Sequence, residues 1–337
     1  MEKKSLYGLS PAEIATTLAL NKGYQGRQIF EWLIKGVTSF EEMSNLPKTL
    51  REELKKVSPI SSSVVEEQTD PTVAVKLLLQ LHDNALIECV LLVDKEGRKT
   101  ACLSSQVGCA MGCAFCRTAT MGLRRNLKAF EIIEQYVHLQ KVSDAITHIV
   151  FMGMGEPLAN LDEVATAINY FHQEEGFNIG LRRITVSTCG VVPAIEKLTQ
   201  LNLPVRLAVS LVVANDNQRN EVMPINRTFP LKELKRALIN YQNSYKKRIT
   251  LEYVLLSGYN TTSENAKELA LFISDLDAMV NLIPYNEAAE LSWSTPSSQE
   301  VETFSQELDK QKVPYTVRYS RGREIDGACG QLATKLE

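Results

Sequence analysis

The sequence lacks any apolar run near the ~20 residues that a membrane-spanning helix needs. Its opening, Met1-Glu-Lys-Lys, leads into polar, helix-like sequence without an apolar signal region. A cytoplasmic protein with no membrane partner is expected. Net charge is also scarce: 37 Lys and Arg face 40 Asp and Glu, a balance of −3, which excludes a generally basic coat protein. The cysteines lack the even count of a disulfide framework, being 7 in 337 residues, so the thiols need another use. At 44% hydrophobic residues the chain is neither disordered nor collagen-like. Its length suggests about two domains at roughly 150 residues each, or one large barrel.

Residues 1–58 show apolar spacing of three to four in three stretches, around Ile14, Leu18 and Leu20, around Ile29, Phe30, Leu33 and Ile34, and around Leu46, Leu50 and Leu54. Ser10-Pro11-Ala-Glu13 is a helix start with a cap, a proline in the first turn and a glutamate at the third position. A small helical domain is expected there. Residues 59–97 read as a Ser-rich linker and a hairpin, 73–81 and 86–93, turning at His82-Asp83-Asn84. From residue 98 to 320, strand-like runs at 100–107, 147–152, 183–187, 205–211, 249–256, 279–284 and 315–319 alternate with helical stretches such as 131–139, 161–171, 231–241 and 264–273. That alternation predicts an α/β fold of parallel βαβ units, a closed or partial (β/α) barrel. Its active site belongs at the strand C-termini. Residues 321–337 form a tail.

The first post-strand loop carries the strongest chemical signal. Cys109-Ala-Met-Gly-Cys113-Ala-Phe-Cys116 places three thiols within eight residues. Closely spaced thiolates hold iron-sulfur clusters, and three ligands on a cubane leave one iron open to a ligand. The alternative is structural zinc, with Cys113 and Cys116 as half a site and Cys102 or Cys109 completing it. No second Cys or Cys-His pair supports zinc. The order of the cysteines, with Phe115 before the last, resembles the signature of the radical S-adenosylmethionine (SAM) superfamily, whose 4Fe-4S cluster chelates SAM and cleaves it to a 5′-deoxyadenosyl radical.

Further motifs narrow the resemblance: Cys102-Leu-Ser-Ser-Gln-Val-Gly-Cys109, Met152-Gly-Met-Gly-Glu-Pro-Leu158, Asn281-Leu-Ile-Pro-Tyr-Asn286 and Arg321-Gly-Arg-Glu-Ile-Asp-Gly-Ala-Cys-Gly-Gln-Leu332. Over nearly its whole length the chain resembles the RlmN/Cfr family of RNA adenosine methyltransferases, closest to the RlmN branch. The resemblance implies a partial barrel of the radical SAM type, with Cys109, Cys113 and Cys116 holding the cluster. It implies two SAM per turnover: one methylates Cys329, and the second yields the radical that activates this S-methyl group toward adenine C2. Cys102 then matches the thiol that releases product by a transient disulfide with Cys329, and Glu88 the proton acceptor. Gly155, Glu156, Ser187, Ser210, Leu211, Val212 and Asn286 match SAM-contacting positions. The implied partners are 23S ribosomal RNA, with tRNA open as a second substrate, and an electron donor such as flavodoxin or ferredoxin. A monomer is expected, Cfr-type C8 methylation uses the same cysteines, and a zinc-stabilised RNA-binding protein is the non-enzyme alternative.

Three departures from the family pattern stand out: Val212-Val213 where His follows Ser-Leu, Glu287-Ala288 where Pro is usual, and Arg117-Thr-Ala-Thr after the cluster motif. Read without the resemblance, Glu88 is the solvent-facing half of a strand, Cys329 a thiol in a frayed tail, and Cys89, Cys102 and Cys189 buried structural cysteines. Basic residues cluster at Arg117, Arg124, Arg125 and Lys128, at 246–248, and at Arg318, Arg321 and Arg323, whereas residues 264–309 hold ten Asp or Glu and one Lys. A basic barrel mouth for RNA and an acidic solvent-facing flank are expected.

Overall fold

A computed structural model describes residues 5–70, 73–143 and 145–334. The N-terminal domain contains α1 (Pro11–Thr17), α2 (Gly23–Leu33) and α3 (Lys48–Leu54). α1 begins with the capping box read from the sequence, Ser10 and Glu13 satisfying each other's backbone amides. Ile14, Ile29, Phe30 and Leu33 are buried in the same apolar core as the rest of the chain, so this domain packs on the barrel. Phe30 meets Tyr170 edge-on at 6.0 Å. At the junction, buried Glu134 accepts hydrogen bonds from the backbone and hydroxyls of Ser61 and Ser62.

The barrel strands are β1 (Ser63–Asp70), β2 (Ala74–Gln80), β3 (Leu86–Val93), β4 (Lys99–Cys102), β5 (Gln106–Gly108), β6 (Leu123–Asn126), β7 (His148–Phe151), β8 (Ile184–Thr188), β9 (Arg206–Ser210), β10 (Ile249–Leu255), β11 (Ala278–Pro284) and β12 (Tyr315–Val317). Ten of them form one sheet in the order β1-β2-β3-β4-β7-β8-β9-β10-β11-β12. β1 to β4 pair antiparallel and β4 onward pair parallel. This is the expected partial barrel. The predicted hairpin is β2 and β3, but it extends the barrel sheet and gains β1, whose exposed Ser-Val-Val-Glu-Glu-Gln-Thr-Asp sequence suits an edge.

The helices are α4 (Arg117–Thr120), α5 (Ala129–Val142), α6 (Leu161–His172), α7 (Val192–Gln200), α8 (Asp216–Val222), α9 (Leu231–Tyr245), α10 (Ser263–Ile273) and α11 (Ser298–Lys310). α9 shows how they pack: Leu231, Leu234, Ala237, Leu238 and Tyr241 are buried at helical spacing, and Lys246 ends the helix in the left-handed region. The strand predicted over 100–107 is broken. β4 stops at Cys102, Ser104 turns its amide to Gln135 Oε1 at 2.7 Å, and β5 pairs instead with β6. Gly108 makes that turn possible, since it has φ +76 and a Cβ there would lie 1.8 Å from Gly122 O.

Candidate active site

The loop after β5 carries Cys109, Cys113 and Cys116. Cys109 N–H donates to Gly122 O at 2.9 Å, Ala114 N–H to Val222 O of α8 at 2.9 Å, and Trp293 Nε1 to Ala114 O at 3.0 Å. The thiols lie close enough for the charge on one to oppose that on the others, and burial pushes Cys109 up to about 11 and Cys113 well above the ordinary thiol range. Among the described residues no three His, Cys, Asp or Glu side chains converge on one metal-ion position. Three thiols within eight residues of one loop, with no second Cys or Cys-His pair in the sequence, suit a polynuclear cluster better than tetrahedral zinc.

The expected SAM positions gather at the same end of the barrel. Glu156 follows β7 and is buried; its carboxylate accepts from Cys189 N–H at 2.8 Å and Leu158 N–H at 3.0 Å. Burial raises its pKa. Gly155 has φ +97 and packs so tightly on Gln106 that a Cβ would fall 2.5 Å from Gln106 Cβ. Ser187 lies in the last turn of β8 and Ser210 ends β9. Asn286 follows β11, with Nδ2 donating to Ser320 Oγ at 2.8 Å and Cys329 O at 3.1 Å, while its buried Oδ1 has no partner. An orphaned buried acceptor among these groups fits a polar ligand.

Val212 departs from the family and is also bent. It has φ +60, and Val213 N–H bonds back to Leu211 O at 2.7 Å, a γ-turn that a β-branched residue adopts only under strain. The turn is pinned by Leu211 and Val212 amides on Glu252 O and by Asn260 Nδ2 on Val212 O at 2.8 Å.

Cys329 is not in a frayed tail. The tail is tied by Arg117 N–H to Gly330 O at 2.8 Å, Thr118 Oγ1 to Leu332 O at 2.6 Å, Gln331 Nε2 to Glu287 O at 3.0 Å and Ala333 N–H to Glu88 Oε2 at 3.0 Å. The Cys329 side chain retains accessible surface, yet burial by surrounding protein pushes its thiol up to about 11, with Glu252 and Cys116 adding to the shift and Arg318 opposing it. The Cys329 carbonyl is held by Asn286, and that of the next residue, Gly330, by the amide that follows Cys116. Cys102, at the end of β4, is raised by burial first and by Cys329 second. All seven cysteines are free.

Glu88 is a correction to the reading from strand alternation alone. It is 6% exposed, paired to Lys76 Nζ at 3.1 Å, and it anchors the tail through Ala333. Burial raises its pKa against the pull of Lys76. Glu252 was missed, although a carboxylate inside the apolar run of β10 is the same signal. It is buried, accepts from Asn281 Nδ2 at 3.0 Å, and acts on the Cys329 thiol. Cys189, read as structural, touches Glu156 and packs with Cys113.

The expected basic mouth needs correcting. Arg125 forks onto Asp83 and Glu131 with four contacts of 2.8 to 2.9 Å, Arg117 pairs with Glu290 and Asp326, and Lys128 with Glu163. Arg124 stays exposed. Residues 246–248 precede β10 and so lie at the opposite end of the barrel, with Arg248 paired to Asp277. The acidic flank is as expected, Glu264, Asp275, Glu287, Glu290, Glu302 and Asp309 being exposed.

Comparison with known proteins agrees with this geometry. Residues 103–270 match the Radical SAM superfamily, and residues 7–60 match the ribosomal RNA large subunit methyltransferase N-terminal domain. A probable dual-specificity RNA methyltransferase RlmN of Treponema pallidum is 43% identical over 329 residues, 97% of each chain. A dual-specificity RNA methyltransferase RlmN of Geobacter sulfurreducens is 44% identical over 337 residues, 98% of this chain and 92% of its own. The crystal structure of a radical SAM methyltransferase from Sphaerobacter thermophilus superposes with a TM-score of 0.92 at 42% identity, covering 97% of this chain and 98% of that one.

Proposed function

The chain belongs to the RlmN family of radical SAM RNA methyltransferases, and on that premise we propose that it methylates C2 of an adenosine in 23S ribosomal RNA, and in tRNA as a second substrate. The observation that supports the reading most is the seating of the Cys329 segment beside the cysteine loop and Asn286, with Arg117 N–H on Gly330 O at 2.8 Å and Asn286 Nδ2 on Cys329 O at 3.1 Å.

Cys109, Cys113 and Cys116 would hold a 4Fe-4S cluster, which would supply the one-electron reductive cleavage of SAM. The chain does the rest. Glu156, Ser187, Ser210, Asn286 and the Gly155 and Leu211–Val212 backbone orient SAM in the space bounded by strand ends. Asn286 holds the Cys329 carbonyl with Nδ2 and leaves Oδ1 for the ligand. Cys329 carries the methyl group as S-methylcysteine, which presents a carbon to an adenine C2 that is too electron-poor to attack a methyl cation donor itself. Glu88, raised by burial, accepts a proton at its carboxylate. With the former methyl carbon bonded to C2, and the C2 proton and one electron lost, the electron passing to the external electron-transfer partner, Cys102 thiolate attacks Cys329 sulfur. The S–C bond breaks with its pair on carbon, which takes a proton to become the methyl group, and the Cys102–Cys329 disulfide remains. Reduction of that disulfide and of the cluster calls on an external donor of the flavodoxin or ferredoxin class.

The deciding experiment is mass analysis of nucleosides from RNA treated with anaerobically reconstituted enzyme. 2-Methyladenosine is expected. 8-Methyladenosine moves the site to C8, and a colourless, zinc-containing protein ends the enzyme reading.

A further inference from the structure

Arg219 is the largest side chain in the protein to be fully buried. Its sequence neighbourhood, Asp216-Asn-Gln-Arg-Asn-Glu221, reads as a solvated helix face. Its donors go to neutral oxygens: Nε to Leu211 O at 3.0 Å, Nη1 to Asn226 Oδ1 at 2.8 Å, and Nη2 to Cys189 O at 2.8 Å and Ser210 O at 3.1 Å. Among the described residues it forms no ion pair. Asp216 is exposed and is held off by the Asn226 amide, which donates to Asp216 Oδ1 at 2.8 Å. Hydrogen bonds to carbonyls satisfy the fork but leave its charge unbalanced, and a buried unbalanced charge is expensive unless an opposite charge is near.

The surroundings indicate where that charge is. α8 is tied to the cysteine loop by Ala114 N–H on Val222 O. Val222 and Met223 pack with Met111, Cys113, Ala114 and Phe115, and Cys189, whose carbonyl Arg219 holds, lies in the same packed group.

We propose that Arg219 is the built-in countercharge of the iron-sulfur cluster, a positioning residue that raises the cluster's reduction potential while its fork fixes the ends of β8 and β9. A doubly positive cubane and three thiolates sum to one negative charge. Reduction adds one electron from an external one-electron donor and makes that charge two; no proton moves and Arg219 stays protonated. A fixed positive charge favours the more negative state. The same guanidinium holds Ser210 O and Leu211 O, so α8, whose Val222 carbonyl holds the cysteine loop, also anchors the strained turn at Val212.

This rests on the cluster assignment to Cys109, Cys113 and Cys116. The test is a redox titration, followed by electron paramagnetic resonance, of the full chain reconstituted with iron and sulfide. Arg219→Gln is expected to make reduction at least tenfold less favourable, a fall of 59 mV for one electron. Arg219→Lys keeps the charge and stays within that margin. Asp216→Asn keeps the acceptor oxygen but removes the surface charge that partly balances Arg219, so it shifts the midpoint the other way, by less because solvent screens it. A wild-type midpoint in both Arg219→Gln and Asp216→Asn overturns the proposal. If Arg219→Gln yields no folded protein, a fall in Arg219→Lys as large as tenfold, or an unmoved Asp216→Asn, overturns it. Wild-type protein that takes up no iron overturns the cluster assignment, and this proposal with it.

Discussion

Replacing Lys76 by Met isolates the most exposed consequence of building a carboxylate into the barrel wall. Lys76 Nζ and Glu88 Oε1 are 3.1 Å apart, and both residues are 6% exposed. Removing one partner of such a pair leaves a buried charge and costs about 3–5 kcal/mol. Burial already raises the Glu88 pKa, and Lys76 is the first of the groups that oppose it, with Ala333 N–H and Arg117 after it. Without Lys76 the folded-state value climbs further, each unit being worth about 1.4 kcal/mol. A folded pKa above the unfolded one means that the folded protein holds the proton more tightly. Stability is then full below the unfolded carboxylate value and is lost as pH rises toward the folded value. Lys76→Met is therefore expected to lose about 3–5 kcal/mol near pH 8 and less at pH 5, because the raised Glu88 carboxyl takes up its proton as pH falls. Urea denaturation midpoints at the two pH values measure this directly. An equal loss at both would refute the reasoning, as would a failure of added Glu88→Gln to recover most of it.

The other expectations concern the thiols, the tail and RNA. Cys329→Ala should abolish methyl transfer while 5′-deoxyadenosine still forms on chromatography, whereas Cys102→Ala should accumulate a protein-RNA adduct visible on denaturing gels. Arg117→Ala removes the pairs to Glu290 and Asp326 and should make the tail a faster protease target, with its cleavage rate as the readout. Arg124→Gln should reduce the salt slope of RNA binding by about one. Arg125→Gln should instead leave the slope unchanged and lower the denaturation midpoint, because that fork is committed to Asp83 and Glu131.

How much of this was readable beforehand depended on how local each cause was. The parallel strands showed because β10, Ile249–Leu255, is mostly apolar, interrupted only by Thr250 and Glu252, and its neighbours repeat that pattern. The cysteine loop showed because its ligands are contiguous. β5 and β6 did not, since Leu123-Arg-Arg-Asn126 has no strand pattern and the pairing is set by Gly108 and Gly122. Arg125 looked like a free cation because one of its acids, Asp83, lies 42 residues away and the other, Glu131, meets it only once α5 has formed and β6 has paired with β5. Arg219 was invisible for a similar reason: its burial comes from carbonyls at the ends of two other strands. Only the resemblance singled out Glu88, and its burial was not legible, as strand alternation does not say which face the tail will cover.

The tail's anchors also set an order of events during synthesis. Ala333 meets Glu88 across 245 residues, and Arg321 reaches Val93 O across 228. Such contacts are the last that a growing chain can make, and their loop-closure entropy must be met by a barrel that is already largely formed. Cys329 is thus seated only after the strands around it exist. Under the proposed mechanism, a chain cut short of the final turn would keep the cysteine loop and lose the group that carries the methyl.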